Sequence, residues 1–266
     1  MTDTKYTISH VSKTFPGEPP VRALDDIDLR IEQGEFVTFL GPSGCGKSTL
    51  LEIMAGLQQP THGRVLLGSD PVLAPSSKVG IVFQDPSLYP WRTVLRNVEL
   101  GLELRGVARE ERRSVARDYL ELVGLAGVEH KYPHQLSGGM RQRVGIARAL
   151  TIGPDVLLMD EPFGAVDHLT RLGLQDDLLE IWSQRRRTVT FVTHDVAEAV
   201  YLADRVVLFS PSPGRIQHIW SVPVTRPRAR DDLALIDLQN EIYAELNHSA
   251  ARRDARLVEA SEGSRV

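Results

Sequence analysis

Short apolar runs separated by turn residues dominate the first part of the chain. In residues 6–40 apolar side chains recur at short spacing, and turn signals interrupt them at Pro16-Gly17 and at Gly34. This pattern predicts antiparallel strands that lead into one buried strand at 35–40. A glycine-rich loop over 41–46 and a helix with apolar residues at helical spacing follow directly. The chain therefore completes a strand, a loop and a helix near its start.

The later apolar segments favour a central sheet. Short segments that are β-branched or leucine-rich and bounded by turn residues predict strands at 64–67, 78–82, 156–159, 188–193 and 205–209. Buried strands of this kind are typical of a mostly parallel sheet. We therefore expect an α/β fold that has an antiparallel β subdomain at its N-terminal end.

Two helical regions complete the predicted architecture. Between residues 85 and 149 the apolar positions take helical spacing, which predicts an α-helical subdomain inserted at about 86–149. A last helical pattern follows a stretch rich in Pro and Arg after Trp220. The segment 248–266 is polar, and we expect it to be a disordered tail. The folded domain is accordingly expected to span residues 1–247.

Composition and charge narrow the classes of function. The chain has 266 residues, and 31 Lys and Arg against 35 Asp and Glu give a net charge of −4, so we expect no nucleic-acid partner. No stretch reaches the roughly 18 to 20 apolar residues that a membrane span needs. Residues 1–6 lack a secretory signal, and the single cysteine, Cys45, fits a reducing compartment. These features predict a cytosolic protein.

The glycine-rich loop carries the strongest chemical signal. It matches the pattern G-x-x-x-x-G-K-[ST] with Gly41, Pro42, Ser43, Gly44, Cys45, Gly46, Lys47, Ser48 and Thr49. In such a loop backbone N–H groups surround phosphates, the lysine reaches the β- and γ-phosphates and the serine hydroxyl binds Mg²⁺. The alternative is a glycine-rich turn with a solvated lysine. Because Cys45 precedes a helix start, we also expect its thiolate to be favoured.

Two further segments join this loop as candidate chemistry. The strand at 156–159 ends in Asp160 and Glu161, which predicts a Mg²⁺ ligand followed by a group that polarises the attacking water. By itself such a pair is more often a solvated turn. Ser137, Gly138 and Gly139 open a helix and form a second candidate anion site, although a plain helix cap is the simpler interpretation.

The order of these segments resembles the ATP-binding cassette (ABC) family. A phosphate loop, then Leu136-Ser137-Gly138-Gly139, then a strand ending in Asp160-Glu161 is that family's succession of motifs. The resemblance covers about residues 6–220. It implies a P-loop NTPase fold of the ABC type that hydrolyses ATP with Mg²⁺. The alternative is a P-loop ATPase or kinase that acts outside transport.

Several single residues gain an expected role from the resemblance. Gln84 matches the glutamine that contacts Mg²⁺ and water, and His194 matches the switch histidine at the γ-phosphate. Phe15 takes the place of the aromatic residue that stacks on adenine, with a core phenylalanine as the alternative. In the segment 164–167 only Asp167 is carried over as a dimer contact, because the family's usual serine is absent.

The resemblance also implies partners. The segment from Asp85 to Val94 is similar to the ATPases of nitrate, sulfonate and taurine importers. We therefore expect a head-to-tail homodimer in which Ser137, Gly138 and Gly139 of one copy close over the nucleotide of the other. Integral membrane permease subunits and a solute-binding protein complete the expected assembly. This places the chain on the cytoplasmic side of the inner membrane, with Trp91 either contacting the permease or packing inside the helical subdomain.

Overall fold

The structure is a computed structural model that describes residues 3–164 and 166–263, with the backbone alone for residues 185 and 249–263. The strands are β1 (Thr4–Phe15), β2 (Val21–Glu32), β3 (Phe36–Leu40), β4 (His62–Leu67), β5 (Asp70–Pro71), β6 (Val79–Val82), β7 (Val156–Asp160), β8 (Thr188–Thr193), β9 (Arg205–Phe209) and β10 (Ile216–Ser221). The helices are α1 (Lys47–Met54), α2 (Val94–Val98), α3 (Leu100–Leu104), α4 (Arg109–Leu122), α5 (Gly138–Thr151), α6 (His168–Arg185), α7 (Val196–Leu202) and α8 (Leu233–Gly263).

A six-stranded sheet forms the centre of the molecule. Its strand order is β10-β9-β3-β8-β7-β6, and all neighbours pair in parallel except β10 with β9. Strand β3 is buried at every position, and its side chains alternate between two apolar cores. Phe36 and Leu40 pack with the helices on one face, whereas Val37 and Phe39 pack towards α1 and the second sheet. The predicted mostly parallel sheet is therefore confirmed.

The second sheet is antiparallel and has the strand order β2-β1-β4-β5. It contains the N-terminal antiparallel strands that the sequence predicts. Strand β4 also lies here, so the assignment of residues 64–67 to the central parallel sheet was wrong. Its pairing with β1 is a contact between segments about 55 residues apart, and local apolar pattern carries no information on which of two sheets will accept a strand.

The helical subdomain contains α2 to α5, from Val94 to Thr151. Helix α5 begins after Ser137 and packs against α2 and α4, and its C-terminal half lies against strand β6 of the central sheet. Helix α5 therefore connects the other helices of the subdomain to the central sheet. The predicted limits of 86–149 begin eight residues before α2 and end two residues before the end of α5.

The C-terminal region differs from its expected form in two ways. Strand β10 was not predicted, and it adds an antiparallel edge to the central sheet. Helix α8 runs to Gly263, where a disordered tail from His248 was expected, and residues 264–266 lie outside the described part. Ala, Arg, Leu and Glu are frequent beyond His248 and have high helix propensity, which gives the local reason for a helix.

Candidate nucleotide site

Four predicted motifs lie at the same edge of the central sheet. Strands β3, β8, β7 and β6 are consecutive and parallel, so their carboxyl ends line up side by side. The residues that follow these ends are the phosphate loop, His194, Glu161 and Gln84 respectively. Carboxyl ends of parallel strands are where open α/β sheets bind ligands. The topology therefore brings together motifs that are up to 153 residues apart in the chain.

The phosphate loop takes a backbone form that only glycine accepts easily. Gly44 and Gly46 have φ angles of 76° and 97°, in the left-handed region. A Cβ atom at Gly46 would lie 2.6 Å from the carbonyl oxygen of Ala23 and 2.7 Å from a methyl carbon of Leu24. Substitution at Gly46 therefore forces both a strained φ and a collision with β2.

Lys47 lies folded into the loop. Its Nζ atom donates to the carbonyl oxygens of Gly41 and Pro42 at 2.8 and 2.9 Å, and lies 3.6 Å from the Cys45 sulfur. Only 4% of the residue is exposed. A buried ammonium is stable only with such partners, so the positive charge is held against the carbonyl oxygens at the start of the loop. This arrangement offers an anion both backbone donors and a fixed cation.

Ser48 joins the phosphate loop to the end of β7. Its hydroxyl donates to Oδ1 of Asp160 at 2.9 Å. Burial raises the pKa of the Asp160 carboxyl above its usual range, and the neighbouring Glu161 charge adds to the rise, while the Ser48 hydrogen bond opposes it. A carboxylate with this shift gains from a nearby cation. Hydroxyl and carboxylate oxygens are the ligands that Mg²⁺ prefers, so the donor set fits that ion.

Glu161 and His194 form the next contact along the edge. The Nδ1 atom of His194 lies 3.1 Å from Oε2 of Glu161. Glu161 has a φ angle of 41°, an uncommon value for a residue other than glycine, and its side chain is four-fifths buried. A Cβ atom placed on Gly164 would lie 3.5 Å from Nε2 of Gln84 and 3.8 Å from Oε2 of Glu161. Gly164 therefore lies beside both Gln84 and Glu161, at distances that are ordinary van der Waals contacts for a Cβ atom.

Ser137 and Asp167 are helix caps in the structure. The Ser137 hydroxyl accepts from the Met140 N–H at 3.3 Å at the start of α5, and Asp167 accepts from the Thr170 N–H at 3.1 Å at the start of α6. The hydrogen bond from Thr170 lowers the pKa of Asp167. Among the described residues, no hydrogen bond joins Ser137, Gly138 or Gly139 to the phosphate loop of the same chain. Ala165, in the predicted dimer-contact segment, lies outside the described residues.

Phe15 ends β1 and is half-buried rather than part of the apolar cores. The Nζ atom of Lys13 lies 5.1 Å from the centre of its ring, a cation–π contact. An aromatic face beside a cation suits a purine base, so the position is compatible with adenine stacking.

The expectation that the thiolate form of Cys45 is favoured was wrong. The residue is 1% exposed, and burial raises the pKa of its thiol even though Lys47 partly opposes the rise. The sequence places Cys45 next to a helix start, which favours thiolate, but desolvation of the buried sulfur is the larger effect.

The structure also reveals residues that the sequence motifs did not single out. Asn97 is completely buried, accepts from the Tyr89 N–H and donates to the carbonyl oxygens of Tyr89, Arg92 and Thr93. It thereby fixes the segment after Gln84. A buried asparagine gives no local sequence signal of this role.

Trp91 is 70% exposed and lies 5.3 Å, between ring centres, from Tyr89, so it does not pack in the core of the helical subdomain.

Comparison with known proteins agrees with the geometry. Residues 24–164 match the family profile described as ABC transporter, which covers just over half of the chain. An uncharacterized ABC transporter ATP-binding protein of Methanocaldococcus jannaschii is 52% identical over 239 residues, 90% of each chain. The taurine import ATP-binding protein TauB of Yersinia pestis is 50% identical over 79% of this chain and 81% of its own. The nitrate import ATP-binding protein NrtD of Synechococcus elongatus is 45% identical over 90% and 88%.

Solved structures show the same fold. A dimeric ATP-binding cassette in a post-hydrolysis state, bound to ADP and Pi, superposes with a TM-score of 0.75 at 34% identity. The match covers 83% of this chain and all of that cassette. This solved cassette and the family profile both indicate an ABC cassette. The row of motifs at the edge of the central sheet agrees with them. The chain belongs to the ABC transporter family, and it is an ATP-hydrolysing cassette of the P-loop type.

Proposed function

We propose that this chain is the ATPase subunit of an importer for solutes of the nitrate, sulfonate and taurine type, which moves the solute through a separate permease. The observation that carries the proposal is the similarity to the taurine and nitrate import proteins, at 50% and 45% identity over most of both chains. The segment from Asp85 to Val94, which resembles a segment of nitrate, sulfonate and taurine importer ATPases, also supports the proposal. A solute-binding protein would deliver the solute to the permease.

In the proposed reaction the phosphate loop binds the triphosphate. Backbone N–H groups of residues 43–49 would surround the β-phosphate, and Lys47 would neutralise the charge on the β- and γ-phosphates. Ser48, Asp160 and Gln84 would hold Mg²⁺, which supplies charge neutralisation at the phosphates when it is bound. Phe15 stacks on the adenine ring. Except for Phe15 at the end of β1, these residues lie at or just beyond the carboxyl ends of the parallel strands of the central sheet.

Glu161 and His194 act at the γ-phosphate in the proposed mechanism. The Glu161 carboxylate accepts hydrogen bonds only, so it orients and polarises the attacking water. His194 donates from its ring to the γ-phosphate and moves together with Glu161, since the two side chains touch at 3.1 Å. Water then attacks in line while ADP leaves.

A second copy of the chain completes the site. The phosphate loop grips the nucleotide from one side, and in the same chain no described hydrogen bond brings Ser137, Gly138 and Gly139 to it. The N-terminus of α5 from a second copy, capped by Ser137, would supply donors to the γ-phosphate and exclude water. A two-fold, head-to-tail dimer closes two sites at once, with Asp167 at the contact, and hydrolysis reopens it.

The segment after Gln84 is the proposed contact with the permease. Phe83, Tyr89 and Trp91 are each exposed over more than a third of their surface. Asn97 bonds to the backbone of Tyr89, and Arg148 donates to the carbonyl oxygens of Pro86 and Ser87 in the same segment. Tyr89 and Trp91 form an exposed aromatic pair. Tyrosine and tryptophan are enriched at protein interfaces, where they fill pockets of the partner. Across the described residues, no helix has the length and apolar character that a membrane span requires. As the ATPase subunit of an importer, the chain would lie on the cytoplasmic face of the membrane, attached through the permease.

Transport by the assembled complex tests the proposal. The chain, its permease and its solute-binding protein are reconstituted in liposomes, and ATP-driven uptake of taurine, alkanesulfonates and nitrate is measured. We expect uptake of at least one of these solutes, with ATP hydrolysis stimulated by the loaded binding protein. Stimulation and uptake only with sugars or amino acids would contradict the proposed solute class, and a Glu161→Gln complex serves as the ATP-dependence control.

A further inference from the structure

A chain of buried hydrogen bonds joins the segment before α8 to the loop that carries His194. We call this set the Glu198 network: Thr193, Glu198, Gln175 and Arg230. Its two central side chains, Gln175 and Glu198, are only 3% and 6% exposed. They come from α6 and α7, so the network crosses the helical face of the central sheet. None of these four residues belongs to the phosphate loop or to the proposed Mg²⁺ ligands.

At one end of the network, Glu198 forms hydrogen bonds with the residues on both sides of His194, Thr193 and Asp195. The Thr193 hydroxyl donates to Oε2 of Glu198 and accepts from the Asp195 N–H at 3.0 Å. The Glu198 N–H donates in turn to Oδ1 of Asp195 at 3.0 Å. Thr193, before His194, is therefore bonded directly to the buried carboxylate of Glu198. Asp195, after His194, is bonded to the Thr193 hydroxyl and to the Glu198 backbone N–H. Burial raises the pKa of Glu198, and the hydrogen bonds from Thr193 and Gln175 oppose that rise.

In the middle of the network, the Gln175 amide forms hydrogen bonds with both Glu198 and Arg230. Its Nε2 atom donates to Oε1 of Glu198 at 3.0 Å, and its Oε1 atom accepts from Arg230 at 2.6 Å. The amide has one donor end and one acceptor end, so a carboxylate on one side and a guanidinium on the other fix its orientation. A change at Arg230 is thereby passed to Glu198.

At the other end, Arg230 is itself held rigidly. It donates to the Leu172 carbonyl oxygen at 3.0 Å and to the carboxylate of Asp176. Its guanidinium lies 3.7 Å from the centre of the Tyr201 ring. Upstream in the same segment, Arg228 donates to three carbonyl oxygens at the end of α7. The segment that leads into α8 is thus fastened to α6 and α7 together.

We propose that Arg230 is a positioning residue for ATP hydrolysis: acting through Gln175 and Glu198, it fixes the loop that presents His194. This inference rests on the proposed role of His194 at the γ-phosphate. It makes the segment before α8 part of the hydrolytic machinery, although within the described residues no hydrogen bond joins Arg230 to the phosphate loop, Gln84, Glu161 or His194. A displacement of that segment loosens the grip on Thr193 and Asp195 and lets the His194 ring leave its contact with Glu161.

The test uses the purified full-length chain with Arg230→Met and, separately, Gln175→Glu. The second variant keeps the acceptor for Arg230 and replaces only the donor to Glu198 by a repelling carboxylate. We expect kcat to fall about tenfold in each, because misplacing a reacting group by a fraction of an ångström has an effect of this order. The Kd for ATP should change less than about twofold. Arg230→Lys should recover part of the rate, since it restores a donor near Gln175.

Tyr201→Phe is the matched control. It removes the hydrogen bond from Tyr201 to Asp176 within the same cluster, keeps the ring under Arg230 and leaves Gln175 untouched. We expect its kcat to equal that of the wild type. The ¹³C–¹H resonance of the His194 ring should shift in Arg230→Met and in Gln175→Glu and stay unchanged in Tyr201→Phe. A merely structural role would lower the unfolding midpoint without moving that resonance.

His194→Ala separates this inference from the proposed function. If His194→Ala keeps wild-type turnover, the proposed role of His194 is wrong and the inference fails with it. If His194→Ala loses turnover while Gln175→Glu and Arg230→Met keep theirs, the network alone is overturned. Where Arg230→Met does not fold, Gln175→Glu decides: wild-type kcat in that variant overturns the proposal, and a tenfold loss with unchanged ATP affinity supports it.

Discussion

The Nζ atom of Lys47 donates to the carbonyl oxygen of Gly41 at 2.8 Å, so the lysine of the phosphate loop closes the loop on itself. A second bond to the Pro42 carbonyl oxygen, at 2.9 Å, fixes the ammonium in the same place. The cation is therefore positioned before any phosphate arrives. Such preorganisation reduces the conformational entropy lost on binding.

Lys47→Ala is expected to weaken ATP binding by at least 100-fold, on the order of 3 kcal/mol, because a charge-assisted contact to phosphate is lost. Equilibrium titration with a fluorescent ATP analogue measures the effect. Lys78→Ala is the control, since it removes one positive charge from an exposed pair with Asp70 outside the site. Equal affinity of the Lys47→Ala variant and the wild type would remove Lys47 from its role.

Glu161→Gln is expected to preserve ATP binding and to lower kcat by roughly 10² or more, because the amide keeps the shape of the carboxylate without its charge. The same variant should accumulate an ATP-bound dimer, which size-exclusion chromatography with and without MgATP detects. Loss of nucleotide binding would instead assign Glu161 to a structural or metal-binding role.

Cys45 is expected to react slowly with iodoacetamide at neutral pH, at less than about a tenth of the rate of a free thiol, because thiolate is the reactive form. Its thiol pKa is raised, so the thiolate fraction at a given pH is below that of free cysteine and grows only as the pH rises past the ordinary thiol range. Mass spectrometry over a pH series measures the rate, and the chain unfolded in urea provides the reference. Rapid labelling of the folded chain at pH 7 would contradict the burial argument.

Asn97→Ala is expected to lower the free energy of unfolding by about 3 kcal/mol, since it leaves buried backbone groups near Tyr89 without partners. Urea unfolding followed by circular dichroism gives the change. Asn240→Ala, at an exposed position of α8, is the control and should stay within about 0.5 kcal/mol of the wild type. A change of similar size in both variants would mean that the contacts of Asn97 contribute little.

Trp91→Ala is expected to leave folding and basal ATPase activity unchanged while assembly with the permease fails. Because the side chain is 70% exposed, its removal costs the isolated chain little, whereas an interface would lose a large aromatic anchor. Copurification with the permease and uptake in liposomes are the measurements. Leu104→Ala, another exposed apolar side chain of the helical subdomain, is the control. Full transport by the Trp91→Ala complex would refute the docking role.

The local pattern of the chain determined a large part of this protein. A glycine loop after a buried strand, the pair Asp160-Glu161 at the end of another strand and the helix start at Ser137 are all visible in short windows. They are visible because each depends on φ angles, helix caps or alternation over a few residues. The parallel sheet, and the α/β class with its helical insert, follow from the same local periodicities.

Only the tertiary structure decided which strands are neighbours. The order β3-β8-β7-β6 places the phosphate loop, His194, Glu161 and Gln84 in one row. Strand β4 lies in the second sheet because it pairs with β1, which is distant in the sequence. Burial is likewise a property of the whole fold: it raises the Cys45 pKa against the local helix effect and turns Glu198 into a buried junction. Desolvation and strand pairing both depend on groups far away in the chain, so a local reading of the sequence does not contain them.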